Sequence, residues 1–154
     1  MPTPFFHLSL AQELLRQPVL VESVRALLES QRGAFLLGNT APDVQAVSGQ
    51  SRTATHFFDL PIQPGDRQPW ERLLALYPTL EESKRMDPAR AAFLAGYLCH
   101  LRADWDWVQE IFVPVFGPAC NWGTFRQRLY LHNVLRAYLD QRLLPGLQDG
   151  MEHC

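Results

Sequence analysis

His100 and Asp104 stand four residues apart in a stretch, Pro88 to Val113, whose apolar spacing predicts a helix, so their side chains share one face. An imidazole and a carboxylate placed this way can hold one divalent cation, or can simply hydrogen-bond each other inside a core. The stripe that carries them is Phe93, Tyr97, His100, Asp104, Trp107 and Ile111. It is otherwise apolar and should therefore turn both polar groups inward. Three further donors lie upstream. Asp43 closes the Pro-stiffened turn Gly38-Asn39-Thr40-Ala41-Pro42-Asp43, His56 lies in Thr55-His56-Phe57, and His7 is flanked by Phe6 and Leu8. Taken singly, each has an ordinary explanation: a turn or helix cap for Asp43, a hydrogen-bonded core histidine for His56, a surface residue near a fraying end for His7.

The elements that must position these groups read as helices. Thr3 caps a first helix with Pro4 at its first helical position, and Phe6, Leu10 and Leu14 follow at four-residue steps to about Arg16. Pro18 opens a second helix, with Leu20, Val21, Val24, Leu27 and Leu28 as its apolar face, ending near Gln31 ahead of Gly33. From Gly38 to Asp66 the composition turns to Gly, Pro, Asn, Ser, Thr and Asp, a loop too long to be idle. A short helix spans Pro69 to Tyr77. Asp87-Pro88 starts the longest one, which should stop before Pro114. A last helix runs from beyond Gly123 to about Leu144, with Phe125, Leu129, His132, Leu135, Leu139 and Leu143 facing inward. No strand pair and no internal repeat is visible. The expected fold is all-α, a single-domain bundle of four or five helices with a functional loop at about 38–66. The domain should cover 1–150, with a disordered tail at 151–154.

Composition narrows the partners. The 154 residues are 47% hydrophobic and 19% charged, enough apolar material for one core, and the net charge is −2. A near-neutral chain has no basic field to gather nucleic acid, so no nucleic-acid partner is expected. Cys99, Cys120 and Cys154 are odd in number and lack CxxC spacing, which argues against a disulfide framework or a thiolate zinc site and for a reducing compartment. The apolar run at the N-terminus is broken by His7, Gln12 and Glu13, and no run is long enough to span a bilayer. A cytoplasmic location is expected.

In chain order, His7, the Gly38–Asp43 turn, Thr55-His56-Phe57 and Gly96-Tyr97-Leu98-Cys99-His100-Leu101-Arg102-Ala103-Asp104 together resemble the bacterial zinc-dependent phospholipase C family. The shared motifs are an early His, a G-x-x-x-P-D Asp, a T-H-F His and a helical G-Y-x-x-H-x-x-x-D pair. The resemblance implies an all-helical fold in which Asp43, His56, His100 and Asp104 hold one zinc and Asp104 reaches a second beside His7. It further implies that metal-activated water attacks a phosphodiester, with catalytic roles for Asp43, as acceptor of the water's proton, and for Asp104. The substrate implied is a phospholipid or a smaller phosphoester. The alternative is a non-catalytic metal-binding helical domain with a structural or binding role. After Asp104 the chain offers Glu110, His132, Glu152 and His153, and Arg136 stands where an HxxxE pair from His132 would need Glu. One or two zinc ions are therefore expected, not three. Arg52 and Arg102 are candidates to grip a phosphate. Trp107, with Trp105, Phe112 and Trp122, either lines a substrate pocket or packs in the core. Asp106 or Glu110 can accept a hydrogen bond from a ligating imidazole, and His132 either closes the metal pocket or is a core histidine.

Overall fold

The computed structural model describes residues 1–82 and 85–151, with side chains through residue 147 in the last helix. Among the described residues there are helices and no strands. The tail expected to be disordered falls mostly at 152–154, outside the described residues, and Met151 closes the last helix.

Helix α1 (Pro4–Arg16) begins where Thr3 and Pro4 place it: the Thr3 hydroxyl accepts the Phe6 N–H at 3.3 Å. The same hydroxyl donates to Asp140, far along the chain. Helix α2 (Glu22–Ser30) starts later than Pro18, because residues 17–20 form a turn whose Gln17 and Leu20 carbonyls are both taken by the Arg25 guanidinium. Gly33 does not terminate a helix. After a break at Gln31 it lies in the first turn of α3 (Arg32–Thr40), an element that its two glycines and its Asn-Thr end disguise as loop.

Helix α3 exists because it packs on α7 (Pro88–Asp106), the long helix announced by Asp87-Pro88. The two backbones meet at Gly38 and Gly96. A Cβ on Gly38 would stand 2.1 Å from the Phe93 carbonyl oxygen, and one on Gly96 would stand 2.1 Å from that of Phe35. Only hydrogen fits in either place. Gly96→Ala is accordingly expected to force the helices apart and destabilise the fold by about 2–3 kcal/mol, lowering the melting temperature by roughly 5–10 °C. Thermal unfolding followed by circular dichroism reads this, and an unchanged midpoint would contradict the close crossing.

The segment 38–66 is less a loop than expected. After the end of α3 it holds a 3₁₀ turn at Ala41–Val44, then α4 (Gln45–Ser48) and α5 (Arg52–His56), so helices outnumber the four or five expected. Ser51 caps α5 by accepting the Ala54 N–H. Phe57, at φ +60°, reverses the chain directly after His56 and sends Phe57 and Phe58 into separate clusters. Phe57 packs with Leu73 and Leu101, and Phe58 with Trp105 and Val108. A third cluster, Ala11, Leu15, Leu28, Phe35 and Ala92, joins α1, α2, α3 and α7. Helix α6 (Pro69–Leu76) matches expectation.

Pro114 does not stop the long helix. Past Asp106 the chain widens into a π-helix, Trp107–Phe116, whose broader turns carry Pro114 inside. Helix α8 (Phe125–Met151) likewise continues through Pro145 beyond Leu144. Its inward face is the one expected at His132, which is buried, and at Leu135, Leu139 and Leu143, which are half-buried, but it departs in the first turn, where Arg128 is buried and Phe125 and Leu129 are exposed. The cause is Arg128, whose guanidinium donates to the Trp122, Gly123 and Pro118 carbonyls and so ties the 117–124 turn to that face. No described helix is long and apolar enough to cross a membrane.

Candidate metal centre

Donor atoms from three parts of the chain gather around His56 Nε2. His56 Nε2, at the end of α5, lies 3.3 Å from Asp104 Oδ2, 3.4 Å from Asp43 Oδ1 and 3.3 Å from His100 Nε2. His100 Nε2 lies 3.9 Å from Asp43 Oδ1 and 3.7 Å from Asp104 Oδ2. A tetrahedral zinc ion with bonds near 2.1 Å separates its ligand atoms by about 3.4 Å, so these spacings suit such an ion.

Both imidazoles are held in the tautomer a metal needs. His100 Nδ1 donates to the Asn39 carbonyl at 2.7 Å, across the α3–α7 crossing that Gly38 and Gly96 permit. The Thr55 hydroxyl donates to the Arg52 carbonyl at 3.2 Å and therefore accepts from His56 Nδ1 at 2.9 Å. Each ring is left with its Nε2 facing the convergence point. Tyr97 braces the same turn by donating its hydroxyl to the Thr55 carbonyl. Sequence reasoning did not single out Asn39 and Thr55 for these roles, although both stand inside the motifs. Their being polar residues beside inward-facing donors was the available signal.

His7 is not a surface residue. It is 1% exposed and stacks on the His100 ring, with centroids 3.8 Å apart and planes 16° from parallel. Its Nε2 is 3.4 Å from Asp104 Oδ1, close enough for ionic attraction but misaligned for a hydrogen bond. Both His7 nitrogens and Asp104 Oδ1 are thus buried without a hydrogen-bond partner. Buried polar atoms left unpaired are costly, and a cation shared between them removes that cost. Two donor groupings of metal-binding size result, His7 with His100 and Asp104, and Asp43 with His56 and His100. Asp104 faces both, one oxygen to each side.

The electrostatics match. Burial favours the neutral form of Asp104, yet the His56 and His7 imidazoles outweigh it and hold the carboxyl well below its ordinary range. Asp43 is also lowered: burial opposes ionisation, and the His56 contact and the His100 charge overcome it. Burial disfavours protonation of His56, but the Asp104 and Asp43 carboxylates win and raise its pKa. His100 is pushed down to about 4 by burial and by neighbouring His7. The two carboxylates therefore favour positive charge between them, on the His56 ring or on a divalent cation, and a cation displaces any proton that His56 Nε2 carries.

The remaining candidates divide. Arg52 reaches the cluster, donating to Asp104 Oδ2 at 2.9 Å, with its guanidinium carbon 4.9 Å from the Phe58 ring centroid. Arg102 instead pairs with Asp106 at 2.7 Å and lies over Trp70, so neither Arg102 nor Asp106 joins the cluster, and Glu110 is exposed. Trp105 and Trp107 are buried in packing, Trp107 edge-on to Phe6. Cys99, half-buried and free, has its thiol pushed up to about 11 by burial.

His132 is a hydrogen-bonded core histidine. Trp107 Nε1 donates to its Nε2 at 3.0 Å, and Phe112 and Phe116 flank its ring. Burial first, then the positive N-terminal amine and Arg136, lower its pKa to about 4. Because the unfolded chain takes up the proton first, His132 contributes stability above its ordinary 6.5, and this is lost as pH falls toward 4. His132→Gln keeps an acceptor for Trp107 but does not titrate. It is expected to recover about 1–2 kcal/mol of the stability lost between pH 7 and pH 5, measured by urea unfolding at both pH values. Equal losses in the two proteins would refute the assignment.

A family model described as zinc dependent phospholipase C matches residues 6–107. That span contains every residue of the cluster and ends before α8. No curated protein and no solved structure matches the chain.

Proposed function

The chain belongs to the zinc-dependent phospholipase C family, and from that premise we propose that it is a metal-dependent phosphodiester hydrolase acting on a phospholipid or smaller phosphoester. The observation that carries the reading is the convergence of His7, Asp43, His56, His100 and Asp104, with buried nitrogens and an oxygen lacking any other partner. These five residues would hold one or two zinc ions. When bound, zinc supplies a lowered pKa for water and a withdrawal of charge from phosphoryl oxygens.

The chain's own groups do the rest. Asp43 is 26% exposed while His56, His100 and Asp104 are sealed, so its carboxylate is the one a substrate meets. Ionised at neutral pH, it accepts the proton of the attacking water. Arg52, 22% exposed, offers its guanidinium to a phosphoryl oxygen while Asp104 anchors it. Asn39 and Thr55 hold the two imidazoles in the orientation that keeps Nε2 pointing at the centre. Arg102 and Trp107 are left without a substrate role, being bonded elsewhere.

The test is equilibrium dialysis with zinc, metal analysis, and turnover of bis-p-nitrophenyl phosphate. At least one zinc per chain should survive dialysis, and turnover should vanish on chelation and return with zinc. No retained metal overturns the reading, and retained metal without turnover leaves a structural or binding role in its place.

A further inference from the structure

Helix α8 carries two apolar stripes, and the fold covers only one of them. The stripe through His132, Leu135 and Leu139 turns inward. The other is Tyr130, Leu131, Val134, Ala137 and Tyr138, related through Val134 by the three- and four-residue steps of a core-facing surface. All five are nonetheless exposed, and the four larger ones keep 43–67% of their area open. Exposed Gln127 and Gln141 close the stripe at its two ends, roughly 21 Å apart along the helix. No charged residue lies on it, and Arg142, at its edge, donates to the Tyr138 hydroxyl at 3.1 Å. A helix side turned to water ordinarily carries charge, and one that is apolar and uncharged over four turns is built to be covered. The stripe lies outside residues 6–107, so nothing about it depends on the metal centre.

We propose that a second copy of this chain covers the stripe, in an antiparallel helix pair whose two-fold axis passes at Val134. The stripe reads nearly alike in both directions from that residue: Tyr130 and Tyr138 stand four positions to either side, Leu131 and Ala137 three, Gln127 and Gln141 seven. A two-fold interface requires such self-complementarity, because each copy presents the same patch. Pairing about Val134 sets that side chain against its own copy and brings Tyr130 level with Tyr138 of the second copy. It also sets large Leu131 level with small Ala137, and two amides face each other at either end. With about 150–250 Å² to each aromatic and less to the other residues, the stripe presents on the order of 600 Å² per copy. A pair then buries roughly 1,200 Å², which clears the about 1,000 Å² that a specific interface needs. An anionic membrane fits less well, since a helix lying on one sets arginines or lysines along the contact, and this stripe has none.

Sedimentation velocity of the full chain across micromolar concentrations is the test. A species of twice the 17.6 kDa chain mass should appear and grow with concentration. Val134→Arg and Val134→Glu each set like charges against each other on the axis and should weaken association by on the order of a hundredfold or more. Their circular dichroism should match the parent's, because Val134 is exposed. Mixed in equal amounts, the two variants should form a dimer again, one copy of each, since the axis residue meets only its counterpart. Ala137→Glu replaces either variant in the dissociation test should that variant lose helicity. A monomer at every concentration overturns the proposal. If that monomer also binds phosphatidylglycerol vesicles and Val134→Glu abolishes the binding, the stripe is a membrane contact instead. A dimer indifferent to the substitutions, or a mixture of folded Val134 variants that stays monomeric, overturns it equally.

Discussion

Asp104→Asn is expected to leave the protein without dialysis-resistant zinc and to cut zinc-dependent phosphodiester turnover by on the order of a thousandfold or more. Asp104 presents Oδ2 to His56 and His100 and Oδ1 to His7, so a single carboxylate serves both donor groupings. An amide at this position is neutral, offers one oxygen, and aims N–H donors at imidazole nitrogens or at a cation. Losses of 10- to 100-fold are ordinary for removing a residue that merely orients a ligand, and removing the shared anion itself should exceed them. The change also deprives the Arg52 guanidinium of its 2.9 Å partner, so some loss of stability accompanies it. Metal analysis alongside thermal unfolding separates the two effects. Asp106→Asn, which breaks only the exposed pair with Arg102, should keep both zinc and fold. Full zinc occupancy in Asp104→Asn would remove the basis of the metal centre.

Arg52→Met is expected to change two affinities in opposite directions. The guanidinium now competes with a cation for Asp104 Oδ2 and adds positive charge beside the centre, so its removal should tighten zinc binding by about tenfold. Losing a charge-assisted fork to phosphate should at the same time weaken inhibition by inorganic phosphate by about 10- to 100-fold. Competition with a chromophoric chelator measures the first effect and inhibition of phosphodiester turnover the second. Arg52→Lys, which keeps the charge without the planar fork, should restore most of the zinc competition and only part of the phosphate affinity. Weaker zinc binding in Arg52→Met would mean that the side chain only props Asp104 in place.

The two arginines show why the site was only partly readable beforehand. Arg52 and Arg102 each lie within a few residues of a cluster histidine, and nothing in their immediate neighbourhood distinguishes them. In the fold, Arg52 enters through α5 and meets Asp104, while Arg102, on the same helix as His100, projects to the outside and finds Asp106 one turn away. Helix α3 escaped for a related reason. Its Gly33 and Gly38 are poor helix formers in isolation, and Gly38 is favoured because the Phe93 carbonyl of α7 would collide with anything larger. The inward face of α8 was misjudged at Phe125 and Leu129, where Arg128 and the carbonyls of the 117–124 turn outweigh the apolar pattern.

By itself the sequence determined the class of fold, the starts of α1 and α7, the common face of His100 and Asp104, and the order of the motifs. These depend on helical geometry and capping acting over a few residues, and a local string of side chains encodes them completely. Only the tertiary structure decided that His7 is sealed against His100, that Asn39 holds His100 from 61 residues away, and that Arg52 rather than Arg102 meets Asp104. Those outcomes turn on how closely two distant backbones can approach. That limit is set at Gly38 and Gly96 by a partner's carbonyl oxygen, which no window of neighbouring residues contains.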